Sequence, residues 1–511
     1  MSYPDSVRRS RHPMGGAEAF DVVIVGGGAA GCAVAARLSE SVSRSVLLVE
    51  AGPDLRAKLP RELRDGWRIP REPDWGLAAE PDARGVSEDL TRGRLLGGTS
   101  WMTRFALRGS AADYDEWAAL GNPGWGFEDV LPYFTALEAD TDFGDQPWHG
   151  DDGPLPITRY LDVGLTDVAS AGLEALEALG FSTVEDHNRP GAVGAGRMPM
   201  SSRDGVRVTT ADAYLPLDGT PPNLAIRSGA PVADVVFDHT RATGVRLLDG
   251  TAIQAGWVVV CAGAYGSPAI LLRSGIGPAE HLRSIGIPVR VDLPGVGGNL
   301  ADHAGVDIDC GYRGSGRAAP ILHLAATFHS AVMASDEPPD LMLWLSDPRG
   351  DPPIFEIDVV LLRPHARGRV RLRSADPAEP PRIELPDRRD RLDVERLAEG
   401  YRRALEVARR PEVRRLCSAP PSPQAYADDD LPNLIRADSY HLPHVVGTCS
   451  MGPRPEDGAV VDTSGHVHGT DRLSVVDASI VPNGLSGFTH IPTVMMAERL
   501  SEETGARQAP R

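Results

Sequence analysis

FDVVIVGGGAAGCAVAARLSESVSRSVLLVEAG, residues 20 to 52, runs from an apolar stretch (Val22 to Val25) through Gly26, Gly28 and Gly31 into an alanine-rich helical segment. A second apolar run (Val46 to Val49) and the acid Glu50 follow. The pattern is strand, glycine turn, helix, strand. The glycines have distinct physical roles. Gly26 permits the tight turn, Gly28 lets the backbone approach a pyrophosphate, and Gly31 lets the helix pack closely on the strand. The helix N-terminus then faces the phosphates, and Glu50 stands where a carboxylate accepts hydrogen bonds from an adenosine ribose. A lone glycine motif is weak, but here strand, helix and acid are in register, which predicts a dinucleotide site in an α/β fold.

A chain of 511 residues is long for one hydrophobic core, so two domains are expected. Its 41% hydrophobic and 24% charged content is that of a globular protein. A net charge of −19, with arginines interleaved among acids, argues against a nucleic-acid surface. The five cysteines are scattered without CxxC spacing, which suggests reduced thiols in a cytoplasmic protein. Residues 1–18 hold Arg8, Arg9 and Arg11 without a following apolar stretch, so they read as a flexible tail and not a signal peptide. No apolar run approaches the roughly 20 residues that span a bilayer.

Further segments carry a specific resemblance. GRLLGGTSWMTRFALRG (93–109), GAYGSPAILLRSGIG (263–277), LPGVGGNLADH (293–303), YHLPHVVGTCSMG (440–452) and LSVVDASIVPNGLSGFTHIPTVMMAERL (473–500) are spread over nearly the whole chain. Together they resemble the glucose-methanol-choline (GMC) oxidoreductases, flavoenzymes that oxidise alcohols. The resemblance implies FAD, with Gly97, Gly98, Thr99 and Ser100 in a loop along the cofactor. Thr103 stands where family members usually carry Asn or His. It also implies that the backbone near Val232 meets the adenine, that Asp477 lies at the flavin ribityl chain, and that Ile491 to Thr493 open a helix whose N-terminal dipole faces the flavin N1/O2 end. His444, not His441, falls on the catalytic histidine, and His490 on the family's second Asn or His. In members with a covalent flavin the attaching His lies just before the usual Asn; here that place is Met102, so non-covalent FAD is expected.

The implied reaction is oxidation of an alcohol to an aldehyde or ketone. His444 would take the hydroxyl proton, hydride would pass to flavin N5, and His490 would hydrogen-bond the substrate oxygen. The partners are a small alcohol and an electron acceptor, oxygen or another. Two other readings stay open: a redox-neutral lyase of the hydroxynitrile-lyase type, and a flavin-binding protein without catalysis.

The expected architecture is a Rossmann-type FAD-binding domain (19–155, 203–305 and 452–506) with an interleaved antiparallel-sheet substrate domain (156–202 and 306–451). Within it, Leu165 to Leu179 predicts a helix, Asn223 to Asp238 alternates like paired strands, and 306–442 reads as an antiparallel sheet with one polar face. Trp125 and Tyr133 read as packing residues, His303 as a structural hydrogen-bonding residue, and His323, His329 and His365 as core or surface residues. His466 and His468 lack a third ligand nearby, so no metal is expected.

Overall fold

The computed structural model describes residues 18–58, 64, 72–82, 85–314, 322–421 and 430–507, so all but the last residue of the tail expected at 1–18 lies outside them. Val22 to Val25 and Val46 to Val49 are at most 3% exposed. Runs apolar on both faces belong to a sheet covered on both sides. They form it: a seven-stranded sheet whose order is Leu224–Arg227, Val46–Val49, Ala19–Val25, Ala252–Val260, Arg241–Leu247, Val232–Asp238, with Leu473–Val475 also paired to the end of Ala252–Val260. The pairs that join Ala19–Val25, Val46–Val49, Leu224–Arg227, Ala252–Val260 and Leu473–Val475 are parallel. This is the Rossmann-type arrangement expected.

The glycine turn explains itself sterically. Gly26 has φ +101°, and a Cβ there would stand 2.5 Å from the Cys261 carbonyl oxygen. A Cβ on Gly31 would stand 1.9 Å from the Gly26 carbonyl oxygen. No other residue fits either place, so helix Ala29–Ser39 is drawn tight onto its strand. On its far side lies the C-terminal helix His490–Arg507, with Arg37 paired to Glu498.

The second sheet is antiparallel throughout, in the order Tyr440–His441, Ala304–Gly311, Ile354–Leu361, Leu341–Ser346, His323–Phe328, Ala195–Arg197. One face, carrying Val306, Leu343, Ile357 and Val359, shares a core with helices Asp167–Ala178 and Arg391–Arg409. The opposite face differs from the polar one expected. Near Phe488 it is apolar, with Ala325, Met342 and Val360 buried together, because that part is roofed by the C-terminal segment; further along it turns acidic, with Asp307, Asp309 and Glu356. The two strands within Asn223–Asp238 also differ from expectation. Leu224–Arg227 pairs in parallel with Val46–Val49, whereas Val232–Asp238 pairs with Arg241–Leu247, so they occupy opposite edges of one sheet. Alternation reports a half-buried strand but not its partner. Trp125 and Tyr133 pack as expected, their polar tips bonded to the Thr463 carbonyl at 2.9 Å and Glu502 at 2.8 Å.

Between the sheets' connecting segments sits a buried ionic group. Glu138 pairs with Arg108 and with His149 Nδ1 at 2.6 Å; His149 Nε2 reaches Asp186 at 2.9 Å; Arg159 bridges Asp140 and Asp186, each at 2.7 Å. Glu138, Asp140 and His149 are close enough to suit a metal ion, but the two guanidiniums already supply the countercharge. Burial alone would raise Glu138 and Asp186, yet Arg108, Arg159 and His149 hold both below the usual carboxylate range. His149 is raised despite its burial, by Asp186 and Glu138.

Removing one partner of such a group leaves buried charge uncompensated, at a cost of about 3–5 kcal/mol. Glu138→Gln should therefore lower the thermal unfolding midpoint markedly at pH 7. Because the two folded carboxylates titrate below their unfolded values, their stabilisation is present above about pH 4 and is lost as pH falls through the depressed values. The wild type should lose stability over that acid range, and the variant should show a shallower acid dependence. A variant with an unchanged midpoint would show that the group contributes no net stability.

Candidate active site

The glycine turn opens onto a cleft. A Cβ on Gly28 would meet nothing within 4 Å, so the backbone at the helix N-terminus faces open space. Gly97 and Gly98 close over the turn from the other side: Gly97 N donates to the Gly27 carbonyl at 2.7 Å, and a Cβ on Gly98 would stand 2.7 Å from Gly28 Cα. Glu50 is 5% exposed; its carboxylate accepts from Gly27 N at 2.8 Å and Gly52 N at 2.7 Å. Burial raises its pKa, with those amides and Arg94 opposing. Each oxygen keeps a further lone pair for a ribose hydroxyl. Beside it a cleft of about 820 Å³ is lined by Gly52, Asp54, Asp74, Arg94, Ser228 and Gly229 among others. Unblocked backbone at a helix N-terminus, a buried acceptor and an adjoining cleft fit a dinucleotide such as FAD.

The other residues expected along the cofactor divide. Ser100 is buried and turned inward, its Oγ donating to the Gly97 carbonyl and accepting from Thr210. It shapes the loop. Thr99 and Thr103 are half-buried, and Thr103 Oγ1 accepts from Phe105 N at 3.3 Å. Val232 begins its strand but does not line the cleft, where Ser228 and Gly229 stand instead. Asp477 is 3% exposed, and its carboxylate accepts from Gly263 N and Ser479 N, each at 2.8 Å, and from the Ser267 hydroxyl. It ties the start of helix Gly263–Arg273 to the end of strand Leu473–Val475. Burial raises its pKa against those donors. Ile491 and Thr493 lie in the first turn of a helix that begins one residue earlier, at His490.

His444 lines a separate, narrow cavity with Asp302, His303, Leu362, Leu485 and Thr489. Its backbone N–H is held by Asp302 Oδ1 at 2.9 Å, and burial pushes that carboxyl up to about 7. The ring is fixed by His303, Nδ1 to Nδ1 at 3.1 Å, while His303 Nε2 lies 3.0 Å from the Leu485 carbonyl. A carbonyl can only accept. His303 therefore carries its proton on Nε2 and offers the Nδ1 lone pair, so His444 donates from Nδ1 and its own Nε2 is left as a proton acceptor. Burial, then the neighbouring His303 and Arg92, holds the His444 pKa well below its usual value; burial takes His303 down to about 4. Both rings are neutral at pH 7.

His490 is 7% exposed, and neither ring nitrogen has a hydrogen-bond partner among the described residues; burial and the neighbouring Arg207 take its pKa to about 4, partly offset by the Phe105 backbone. A buried imidazole with unmet hydrogen-bonding capacity points to a ligand beside it. The cavity lining includes the preceding Thr489 but not His490 itself. Beside His444 lies Phe488, its ring 4.3 Å from His444 and 5.4 Å from Phe105. Trp344 packs 4.9 Å from Phe105 and 5.7 Å from Phe488. His323 completes the wall, 5.0 Å from Phe105, receiving Trp344 Nε1–H at 3.0 Å and touching Arg104 at 3.0 Å.

Most of this wall is invisible in the sequence. His303 is expected there only to make a structural hydrogen bond; it makes one, but its other nitrogen orients His444. The signal lies in LADH, an acid and histidine following a glycine turn. Phe105, His323 and Trp344 give none, since a ring contact between distant segments leaves no local pattern.

GMC oxidoreductase family models match residues 20–305 and 364–497. The chain is 34% identical over 524 residues to 5-(hydroxymethyl)furfural oxidase of Methylovorus sp. (strain MP688), covering 94% of this chain and 98% of that one. It is also 34% identical to an oxygen-dependent choline dehydrogenase of Burkholderia pseudomallei, covering 94% and 93%. Among solved structures, pyridoxine 4-oxidase from Mesorbium loti superposes with a TM-score of 0.87 at 29% identity, covering 95% and 99%.

If Glu50 serves both the turn and the ribose, Glu50→Gln keeps the shape but removes charge and turns an amide donor toward a backbone N–H. Flavin affinity should fall by about 1–3 kcal/mol, the range for a hydrogen bond to a charged group. Flavin fluorescence released on dilution measures it, and retention equal to wild type would show that the carboxylate makes no contact with the cofactor.

Proposed function

The chain belongs to the GMC oxidoreductase family, and from that premise we propose how this FAD-dependent oxidoreductase acting on CH–OH groups handles its alcohol. The observation that carries the reading is the Leu485 carbonyl, His303, His444 chain, which fixes His444 with Nδ1 protonated and Nε2 free. His444 Nε2 takes the substrate hydroxyl proton. His490, neutral and without a hydrogen-bond partner among the described residues, donates to the substrate oxygen as charge develops there. Bound FAD supplies the acceptor for the hydride that leaves the carbinol carbon. Gly26, Gly28, Gly31, Gly97, Gly98 and Glu50 hold its adenosine and pyrophosphate portion, and the loops at Thr99, Thr103 and 491–493 its flavin end. The division into an FAD-binding part (19–155, 203–305, 452–506) and a substrate part (156–202, 306–451) belongs to the same reading.

The substrate is an alcohol carried on an aromatic ring. Phe488 packs on His444, and Phe105 and Trp344 stand edge to face with Phe488; such rings favour another flat π-system over an aliphatic chain. Relatives named for a furan and a pyridine alcohol agree with this. Met102 at the family's attachment position supports non-covalent FAD, and five free thiols support a reducing, cytoplasmic setting. No helix among the described residues is long and apolar enough to cross a membrane.

Anaerobic mixing with benzyl-type alcohols should bleach the bound flavin, and aliphatic alcohols should do so far more slowly. A redox-neutral lyase or an inert flavin binder would not bleach with any of them. Losing a positioned base costs about 100-fold to 10,000-fold in rate, so His444→Ala should slow reduction by that order with flavin still bound. His490→Ala should slow it less, and His303→Ala should slow it by releasing the His444 ring. Undiminished reduction in the His444 and His490 variants that retain flavin would refute the mechanism. Acid precipitation should leave the yellow colour in the supernatant; colour in the pellet would mean a covalent link.

A further inference from the structure

Far from this pocket, two of the five cysteines meet. Cys310 lies near the end of strand Ala304–Gly311, and Cys417 follows the short helix Pro411–Arg414. Beyond its pairing with Ile354–Leu361, the first strand makes one extra antiparallel contact, Tyr312 opposite Cys417, closed by Ser418 N to the Gly311 carbonyl at 2.7 Å and Arg313 N to the Leu416 carbonyl at 2.8 Å. Cys310, two residues before Tyr312, shares its face, so the two cysteines are diagonal cross-strand neighbours. Both are buried in the same core beneath the antiparallel sheet, and the Cys417 thiol donates to the Val413 carbonyl at 3.5 Å.

We propose that Cys310 and Cys417 form a reversible disulfide when the protein meets a hydroperoxide such as hydrogen peroxide. Cys417 is the sulfur that reacts first. The adjoining Cys310 and, against burial, Arg414 draw its pKa down to about 7; Cys310 is correspondingly pushed up. The thiolate is the nucleophile. Cys417 is itself buried, but Ser418 and Ala419 directly after it are exposed, so it lies just beneath the surface. The other three thiols are held back: burial pushes Cys32 up to about 12, with Glu50 adding to it, and raises Cys261 and Cys449 well above the usual range, with Asp477 adding in each case.

The step balances. The Cys417 thiolate attacks one peroxide oxygen; an S–O bond forms, the O–O bond breaks, and the departing hydroxide takes a proton to become water, leaving a sulfenic acid. Cys310 gives up its proton and attacks the Cys417 sulfur; the S–S bond forms, the S–O bond breaks, and the released hydroxide takes that proton as a second water. Two thiols are oxidised and one peroxide is reduced.

The flavin-loaded protein is exposed to hydrogen peroxide, denatured in iodoacetamide, digested without reductant and mapped by mass spectrometry. A linked peptide joining Cys310 to Cys417, abolished by dithiothreitol, is expected, with Cys32, Cys261 and Cys449 alkylated. In Cys310→Ser the intermediate has no resolving thiol, so dimedone should label Cys417. If that variant fails to fold, the wild-type map decides alone. Alkylation of both Cys310 and Cys417, a link to any other cysteine, or Cys417 carried on to sulfinic acid while Cys310 stays alkylatable would overturn the proposal.

Discussion

The close approach of three backbone segments at the glycine turn governs the rest of the molecule. Gly26 leaves no room for a side chain against Cys261, Gly31 none against Gly26, and Gly98 little against Gly28. These contacts bring residues from the first strand, from the loop near 98 and from the strand ending at Val260 within van der Waals distance of one another. Glu50 fastens the arrangement by accepting from Gly27 and Gly52. A carboxylate buried to this degree carries a desolvation cost, which is offset only because both oxygens are hydrogen-bonded. The same arrangement recurs at Asp477, which joins the helix beginning at Gly263 to the strand ending at Val475.

The parts legible in the sequence are those in which backbone sterics dictate the residue. The strand, turn and helix around Gly26, Gly28 and Gly31, the helix Asp167–Ala178 and the antiparallel strand Ile354–Leu361 follow from local pattern alone. Strand partners are another matter, as the separation of Leu224–Arg227 from Val232–Asp238 illustrates. A parallel edge strand and an antiparallel hairpin strand can show the same alternation, and only the global path of the chain distinguishes them. The histidines in HVVGTCSMG and in FTH stand out because their motifs are specific. Phe105, His323 and Trp344 do not, because their roles arise when a loop and two strands far apart in the chain converge on Phe488. A side-chain wall of that kind is a tertiary property, and the sheet that supplies it reads locally like any other half-buried β-structure.

The antiparallel sheet shows how one element serves two ends. Its helix-facing residues, such as Leu343, Ile357 and Val359, make an ordinary core. The alternate residues, Met342, Trp344 and Val360, turn toward Phe488. Because successive side chains in a strand point to opposite faces, substitutions on the second face can reshape the pocket without touching the packing that holds the sheet to its helices.

The His303 to His444 contact makes burial a functional requirement and not only a cost. A protonated His303 would present an N–H to His444 where a lone pair is needed, and the His444 ring would lose the partner that fixes its tautomer. Burial that takes the His303 pKa to about 4 removes that state at neutral pH. Asp302, next to His303 in the chain, has its carboxyl occupied by the His444 backbone N–H and raised to about 7 by burial. It fixes the backbone at His444 without offering its charge to the ring, and a nearby full negative charge would raise the imidazole pKa and favour the protonated form. A base of low pKa is a weak proton acceptor on its own. In the proposed reaction it would need to accept only as hydride departs and the substrate hydroxyl becomes acidic, so a neutral, oriented ring would serve better than a more basic one already carrying a proton.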